Sequence, residues 1–222
     1  GGGGAGPDRE PERTPPQQQE QVPTVLLNGQ QYTAYDTIVN LSGQGIDDAV
    51  LQELLPGLLE LSALQELDLS GNAITDLTPL ARLTGLERLD LSENAIADLS
   101  PLSGLTSLRW LDVGENPYVA DLSPLADLTG LTELGLRDIP LGDLSFLSGM
   151  EALQSLELEN LSSGMDLSVL AGLTGVTDLR IAAGSNSVIA DLSFLSGLTD
   201  LETCAISGVF QDLALPDLGG LA

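Results

Sequence analysis

Asp68, Asp90 and Asp112 recur at 22-residue intervals, each placed between two aliphatic residues. Carboxylates in such a series can do three kinds of chemistry: transfer protons, ligate a hard cation, or dock a cationic partner. Proton transfer needs a second reactive group. The chain has no His and no Lys, so it offers neither an imidazole base nor an amine nucleophile. Calcium needs clustered D-x-D-x-D oxygens, and these acids stand one per interval. No catalytic residue, metal ligand or cofactor is therefore assigned. The single cysteine, Cys204, falls in an L-x-x-L slot as Leu201-Glu202-Thr203-Cys204, where a small buried hydrophobe is expected. One cysteine forms no internal disulfide. Docking is what remains for the acids, and the sole tryptophan, Trp110, lies two residues before Asp112.

These residues are positioned by a short unit, clearest from Leu86 to Leu105. Leu86, Leu89 and Leu91 are apolar, with Arg88, Asp90 and Ser92 between or beside them. That alternation fits a short strand with one buried face. Asn94 and Ile96 turn the chain. Asp98-Leu99-Ser100-Pro101-Leu102 then reads as one capped helical turn with an early proline. Leu64, Leu86, Leu108, Leu131, Leu153, Val176 and Leu201 open equivalent segments, spaced 22, 22, 23, 22, 23 and 25 residues apart. A unit this short buries its leucines only against copies above and below.

The spacing is the leucine-rich repeat pattern L-x-x-L-x-L-x-x-N. With its Asp-Leu-(Ser/Thr)-(Pro/Phe)-Leu second half, the chain resembles the 22-residue repeats of bacterial internalin-like surface proteins from about Val39 to Leu213. The resemblance implies an α/β solenoid: a right-handed leucine-rich repeat with a parallel sheet on the concave face, short helical turns (mostly 3-10) on the convex face, and an N-terminal β-hairpin and α-helix cap. It also implies a secreted or cell-surface anchored protein that binds a partner protein.

Residues 1–23 are rich in Gly, Pro and Gln and read as a flexible tether. A glycine-rich spacer often follows a lipidated cysteine in bacterial lipoproteins, so membrane contact is expected only through such an N-terminal anchor, by analogy. Residues 24–63 form the expected cap. Asn28-Gly29 signals a hairpin over 24–33 whose Val25, Leu27 and Tyr32 close the open end of the solenoid. The first coil is longer and carries a helix at 47–60, which Pro56-Gly57 should end or kink. The repeats span 64–213. Asn72, Asn94 and Asn116 form a ladder that Ile139 and Leu161 break, and later insertions predict a looser, less regular edge. Tyr118 is assigned the slot of Ile74 and Ile96. Asp76, Asp98, Asp121, Asp143, Asp166, Asp191 and Asp212 read as caps of the convex turns. Residues 214–222 read as an incomplete or truncated end.

The net charge is −26. Such a chain repels phosphate backbones and anionic lipid, which argues against nucleic-acid and membrane-surface partners. Eight strands about 4.8 Å apart give a sheet roughly 34 Å long. Its exposed positions form three columns. The first contains Ile38, Glu66, Arg88, Trp110 and Glu133. The second contains Asn40, Asp68, Asp90, Asp112, Gly135 and Glu157. Arg137 and Glu159 fall in the third. The candidate ligand-binding residues are Trp110, Arg88, Asp68, Asp90, Asp112, Glu133, Arg137 and Glu157. Gly114 and Gly135 should leave a notch beside Trp110, and Arg137 should pair with Glu157 or Glu159. Three functions fit. The first is an interaction module for a basic or aromatic-bearing protein. The others are a rigid spacer for a missing domain, and a carbohydrate or cell-wall binder using Trp110. Oligomeric state is not legible.

Overall fold

The computed structural model describes Gly2 and residues 21–210. The expected tether up to residue 20 (apart from Gly2), the Asp212 cap and the expected end at 214–222 lie outside the described residues. The first element is a hairpin of β1 (Thr24–Leu27) and β2 (Gln30–Thr33), with Val25 opposite Tyr32. Asn28 and Gly29 turn it at φ 47° and 84°, the left-handed values that a type I′ turn requires. There follow β3 (Ile38–Asn40), α1 (Asp48–Glu60), β4 (Glu66–Asp68), β5 (Arg88–Asp90), β6 (Trp110–Asp112), β7 (Glu133–Gly135), β8 (Ser155–Leu161), β9 (Asp178–Ala183), β10 (Val188–Ile189), β11 (Thr203–Ser207) and β12 (Val209–Phe210). Strands β3 to β9 and β11 make one eight-stranded parallel sheet in chain order, and β10 pairs with β12 beside it.

The strand leucines explain the stacking. Leu67, Leu89, Leu111, Leu134, Leu156 and Leu179 are in register across successive strands, and none is more than 3% exposed. Each such burial is worth about 1.5–3 kcal/mol. The opposite wall is a series of 3-10 turns, among them Ser100–Leu102 and Ser123–Leu125, which place Leu102 and Leu125 against the same core. The aspartate before each turn accepts the amide two residues on: Asp98 Oδ1 from Ser100 at 2.8 Å, Asp121 from Ser123 at 2.9 Å, Asp143 from Ser145 at 2.9 Å. The serine hydroxyl and amide together hold the carboxyls of Asp121 and Asp166 below the usual carboxylate range, and the amide and then the hydroxyl do the same for Asp98, Asp143 and Asp191.

Pro56-Gly57 does not end the helix of the first coil. Helix α1 runs through both and ends at Glu60. Leu51, Leu54, Leu55 and Leu58 hold it to the core, while Pro56 and Gln52 are exposed. The backbone bond that Pro56 cannot donate to the Gln52 carbonyl therefore falls on the exposed side of the helix, where its loss costs least. Gly57 has a specific use. A Cβ there would lie 2.7 Å from Leu27 Cδ2 and 2.9 Å from Val25 Cγ1, so the bare backbone is the seat of the hairpin. Asp48 ties the helix to the first regular coil through the amides of Thr75 (2.7 Å) and Asp76 (3.0 Å) and the Thr75 hydroxyl.

The asparagine ladder stops at Asn116, and the coils beyond it are not looser. Asn94 donates to the carbonyls of Leu69, Leu91 and Ser92 and accepts from Ile74 N–H; Asn116 repeats the set with Leu91, Val113, Gly114 and Ile96. Where Ile139 replaces asparagine, β7 keeps three residues; from Leu161 onward the strands lengthen. β8 has seven residues and β9 six, against three in β4 to β7, with a register shift between Leu158 and Leu161. Backbone pairing of β8 with β9 extends over five residue pairs, against three in the earlier coils. The edge is irregular, as expected, but more extensively hydrogen-bonded.

Two positional expectations are corrected. Val119, not Tyr118, fills the slot of Ile74 and Ile96: Val119 is 1% exposed and Tyr118 is 66% exposed. This coil is one residue longer than its predecessor, and the extra residue pushes Tyr118 outward. Cys204 is exposed rather than buried. It continues the core-facing column opposite Leu179, but it stands in the last strand of the main sheet, with a neighbouring strand on one side among the described residues.

Candidate binding face

The sheet places its outward residues in the expected columns. Ile38, Glu66, Arg88, Trp110, Glu133 and Ser155 are successive partners, as are Asn40, Asp68, Asp90, Asp112, Gly135 and Glu157. Three-residue strands leave the central side chain of each inward and the flanking two outward, so each coil contributes one residue to each column.

Trp110 is the centre of the first column. The Arg88 guanidinium lies 3.6 Å from its ring centroid, and the indole Nε1–H donates to Glu133 Oε2 at 3.0 Å. One strand below and one strand above thus fix the ring. The stack is a cation–π contact worth about 0.5–1 kcal/mol at an exposed site. Trp110 is half-buried in this arrangement.

The aspartate column is rigid for a different reason. Asp68 Oδ1 accepts from the Ser70 amide (2.9 Å) and hydroxyl (2.6 Å), and Asp90 does the same with Ser92 (3.0 and 2.6 Å). Asp112 accepts from Gly114 N–H at 2.8 Å, and Asn40 makes the equivalent bond to Ser42 at 3.0 Å. Each residue closes the turn that leaves its strand. Like charges one strand apart repel. Asp112 records this: burial pushes its carboxyl above the usual range, with Asp90 and Glu115 adding to the rise, against the Gly114 amide and Arg137.

The expected notch beside Trp110 is filled. A Cβ on Gly135 would lie 2.5–2.8 Å from the Asp112 carboxylate atoms, and one on Gly114 would lie 3.0 Å from the Arg137 carbonyl oxygen. These glycines make room for neighbouring atoms of the protein. Arg137 is also placed differently from expectation. It pairs with Glu115 at 2.7 Å and reaches Asp138 at 3.7 Å, in place of Glu157 or Glu159. Glu115 stands at the exit of the preceding strand, nearer than the acids of the next coil. Burial and the charge of Glu157 push the Glu159 carboxyl up. Arg180 sits 4.0 Å from Asp178. Packing of Trp110 on Arg88 or Glu133, the alternative to ligand contact that their strand-to-strand adjacency offers in the sequence, is the arrangement the face adopts, with both neighbours engaged.

Among the described residues no group of three or more Cys, Asp or Glu side chains is arranged to hold a metal ion. No helix of the described chain is long and apolar enough to cross a membrane.

Comparison with known proteins follows the same lines as the geometry. A family model for leucine-rich repeats in two copies matches residues 62–104 and again 84–127. No curated protein matches at the level of sequence. Among solved structures, internalin C2 from Listeria monocytogenes is 30% identical with a TM-score of 0.66, the alignment covering 83% of this chain and 84% of that one. Internalin InlF from the same organism is 27% identical with a TM-score of 0.62, over 86% of this chain and 60% of that one. The leucine-rich repeat ectodomain of the Arabidopsis receptor kinase HAESA, solved in complex with a peptide hormone, shares the fold at 23% identity and a TM-score of 0.58, over 74% of this chain and 29% of that one. The repeat length, the capped convex turns, the helix-bearing first coil and the likeness to internalin C2 over most of both chains agree: this chain belongs to the bacterial internalin-like leucine-rich repeat proteins.

Proposed function

We propose that the chain is a protein-binding module, secreted or held at the bacterial surface, that takes its partner on the exposed face of the parallel sheet. The observation that carries this reading is the Arg88–Trp110–Glu133 cluster. It puts a Trp and an Arg, the side chains most often found at binding hot spots, on the sheet face and holds them in place before any partner arrives. The fold supports the same reading, since stacked repeats present an extended surface that leucine-rich repeat proteins commonly use for protein contacts. The plant receptor with its peptide hormone is one instance of that fold at work. Sugar stacking on Trp110 is less favoured, because Arg88 already occupies one face of the ring.

Site-specific photo-cross-linking tests the proposal. A photoreactive residue is placed at Glu66 or Ser155 on the sheet face, and at Ser100 or Ser145 on the convex turns. The protein is then exposed to intact cells and to a cell-surface extract. Cross-links to a second protein from the sheet positions alone are expected. Cross-links from the convex positions alone contradict the proposal, and none from either side favours a rigid spacer.

A further inference from the structure

On the sheet face between β3 and β5 lies a hollow of about 160 Å³, lined in part by Ile38, Asn40, Glu66, Asp68, Arg88 and Asp90. Two features set it apart from the rest of the face. Ile38 is 56% exposed, an aliphatic side chain at the head of a column that continues with Glu66 and Arg88. It sits on β3, the edge strand of the sheet. Second, Arg88 is directly opposite Glu66 and two residues from Asp90, yet it forms no ion pair with either among the described residues. It lies on the Trp110 ring instead. The cation that the hollow could have kept for itself is drawn aside.

We propose that this hollow receives a lysine or arginine side chain from an extended segment of the partner protein. The proposal rests on the sheet face being the binding surface and names what part of it recognises. A long basic side chain has an apolar stem and a charged head. The stem would cover Ile38, and the head would meet Glu66, Asp68 and Asp90. The serine contacts hold Asp68 and Asp90 by one carboxylate oxygen, and the other has no protein donor among the described residues. A chain of net charge −26 also draws a basic segment towards it. Trp110 is then a positioning residue: it holds Arg88 off the carboxylates.

The probes are two short synthetic peptides of equal length, one alternating leucine with arginine and the other leucine with glutamate. Each is titrated into the full chain at physiological ionic strength, with the Ile38 methyl and Trp110 indole N–H signals followed by NMR. The arginine peptide should shift both, and the glutamate peptide neither. Glu66→Gln with Asp68→Asn should weaken binding at least tenfold; Asn40 shows that asparagine keeps the bond to the serine amide. Asp98→Asn with Asp121→Asn removes the same charge from the convex turns and should change affinity less than twofold. Trp110→Ala should weaken binding by releasing Arg88 onto the carboxylates, and adding Arg88→Ala should restore it, an outcome that a merely structural role for Trp110 does not give. Equal losses from the sheet and convex pairs, binding of the glutamate peptide, or no restoration by Arg88→Ala would overturn the proposal. If the arginine peptide fails while photo-cross-links stay on the sheet, this inference falls and the sheet-face reading stands. Cross-links confined to Ser100 and Ser145 overturn both.

Discussion

Asn116 is fully buried and its amide serves four backbone groups in two successive coils. Truncation leaves three of those groups without this partner, since the Gly114 carbonyl also accepts from Glu93 N–H, and each buried polar group so stranded costs about 1–3 kcal/mol. Asn116→Ala should therefore lose at least about 3 kcal/mol in urea unfolding, whereas Tyr118→Ala, two residues on and exposed, should stay within about 0.5 kcal/mol. A small loss at Asn116 would show that water replaces the amide. Asp112 argues the other way. Its turn bond needs only an acceptor, as Asn40 demonstrates one column-end away. Asp112→Asn should stabilise the protein at pH 7 by roughly 0.2–1 kcal/mol, the range for relieving like charges across strands. The sign follows from the raised carboxyl of Asp112. A charged form disfavoured in the folded state lowers stability above the folded pKa. That loss shrinks as pH falls through the folded value and vanishes below the unfolded value, about 3.9. The advantage of asparagine should disappear over the same interval; an advantage that grows on acidification contradicts this account. At this scale the repeating residues were legible because their roles repeat. Tyr118 was misplaced because a one-residue insertion shifts the slot and the sequence does not say which residue it extrudes. Cys204 was misplaced because a core-facing position is buried only when a neighbouring coil covers it.

Elements in this fold are too short to be stable alone, so what they touch decides them. Helix α1 tolerates Pro56 because the unmade bond faces water, and it needs Gly57 because the hairpin lies on it. Gly57→Ala gains up to about 1 kcal/mol of helix propensity. Against that, it drives a methyl into Leu27 and the stiff Val25 side chain, and overpacking of this kind costs about 1–3 kcal/mol. The single substitution should destabilise. In a Leu27→Ala background, where the nearer of the two obstructing side chains is gone and Val25 remains, the same substitution should cost less. A double-mutant cycle by chemical denaturation measures this, and equal losses in both backgrounds would place the hairpin elsewhere. The hairpin itself was legible from Asn28-Gly29, since few residues accept positive φ at both turn positions. The lengthening of β8 and β9 was not. Loss of the asparagine slot signals only that the backbone needs another partner, and sheet pairing and loop opening are both answers to that need.

The whole molecule is a stack of similar coils with a large excess of negative charge. Self-repulsion at net charge −26 should be relieved by salt. The screening length is about 10 Å at 0.1 M and about 3 Å at 1 M, so the urea midpoint should rise with added sodium chloride over this range. A midpoint that falls with salt would show that attractive pairs dominate instead. The capping aspartates contribute stability that acid removes. Their carboxyls are lowered in the folded state, so their contribution is present above the unfolded value, about 3.9, and lost as pH falls through their lower folded values. The fold was legible at this scale because a short repeat with one buried face has few ways to bury it. The sheet columns followed from period and alternation. The filled space at Gly135 and the Arg137–Glu115 pair did not, and the Arg88–Trp110 stack was legible only as one alternative to ligand contact, because side-chain choices among several near neighbours are decided by distances that a sequence does not hold. The claim that the sheet face is the binding surface is tested most directly by two aromatic truncations measured against the protein captured by cross-linking. Trp110→Ala should weaken that affinity by about 2 kcal/mol, roughly thirtyfold, with the unfolding midpoint little changed, and Tyr118→Ala, off the sheet face, should leave it unaltered. Loss of binding in Tyr118→Ala with Trp110→Ala unaffected would contradict it.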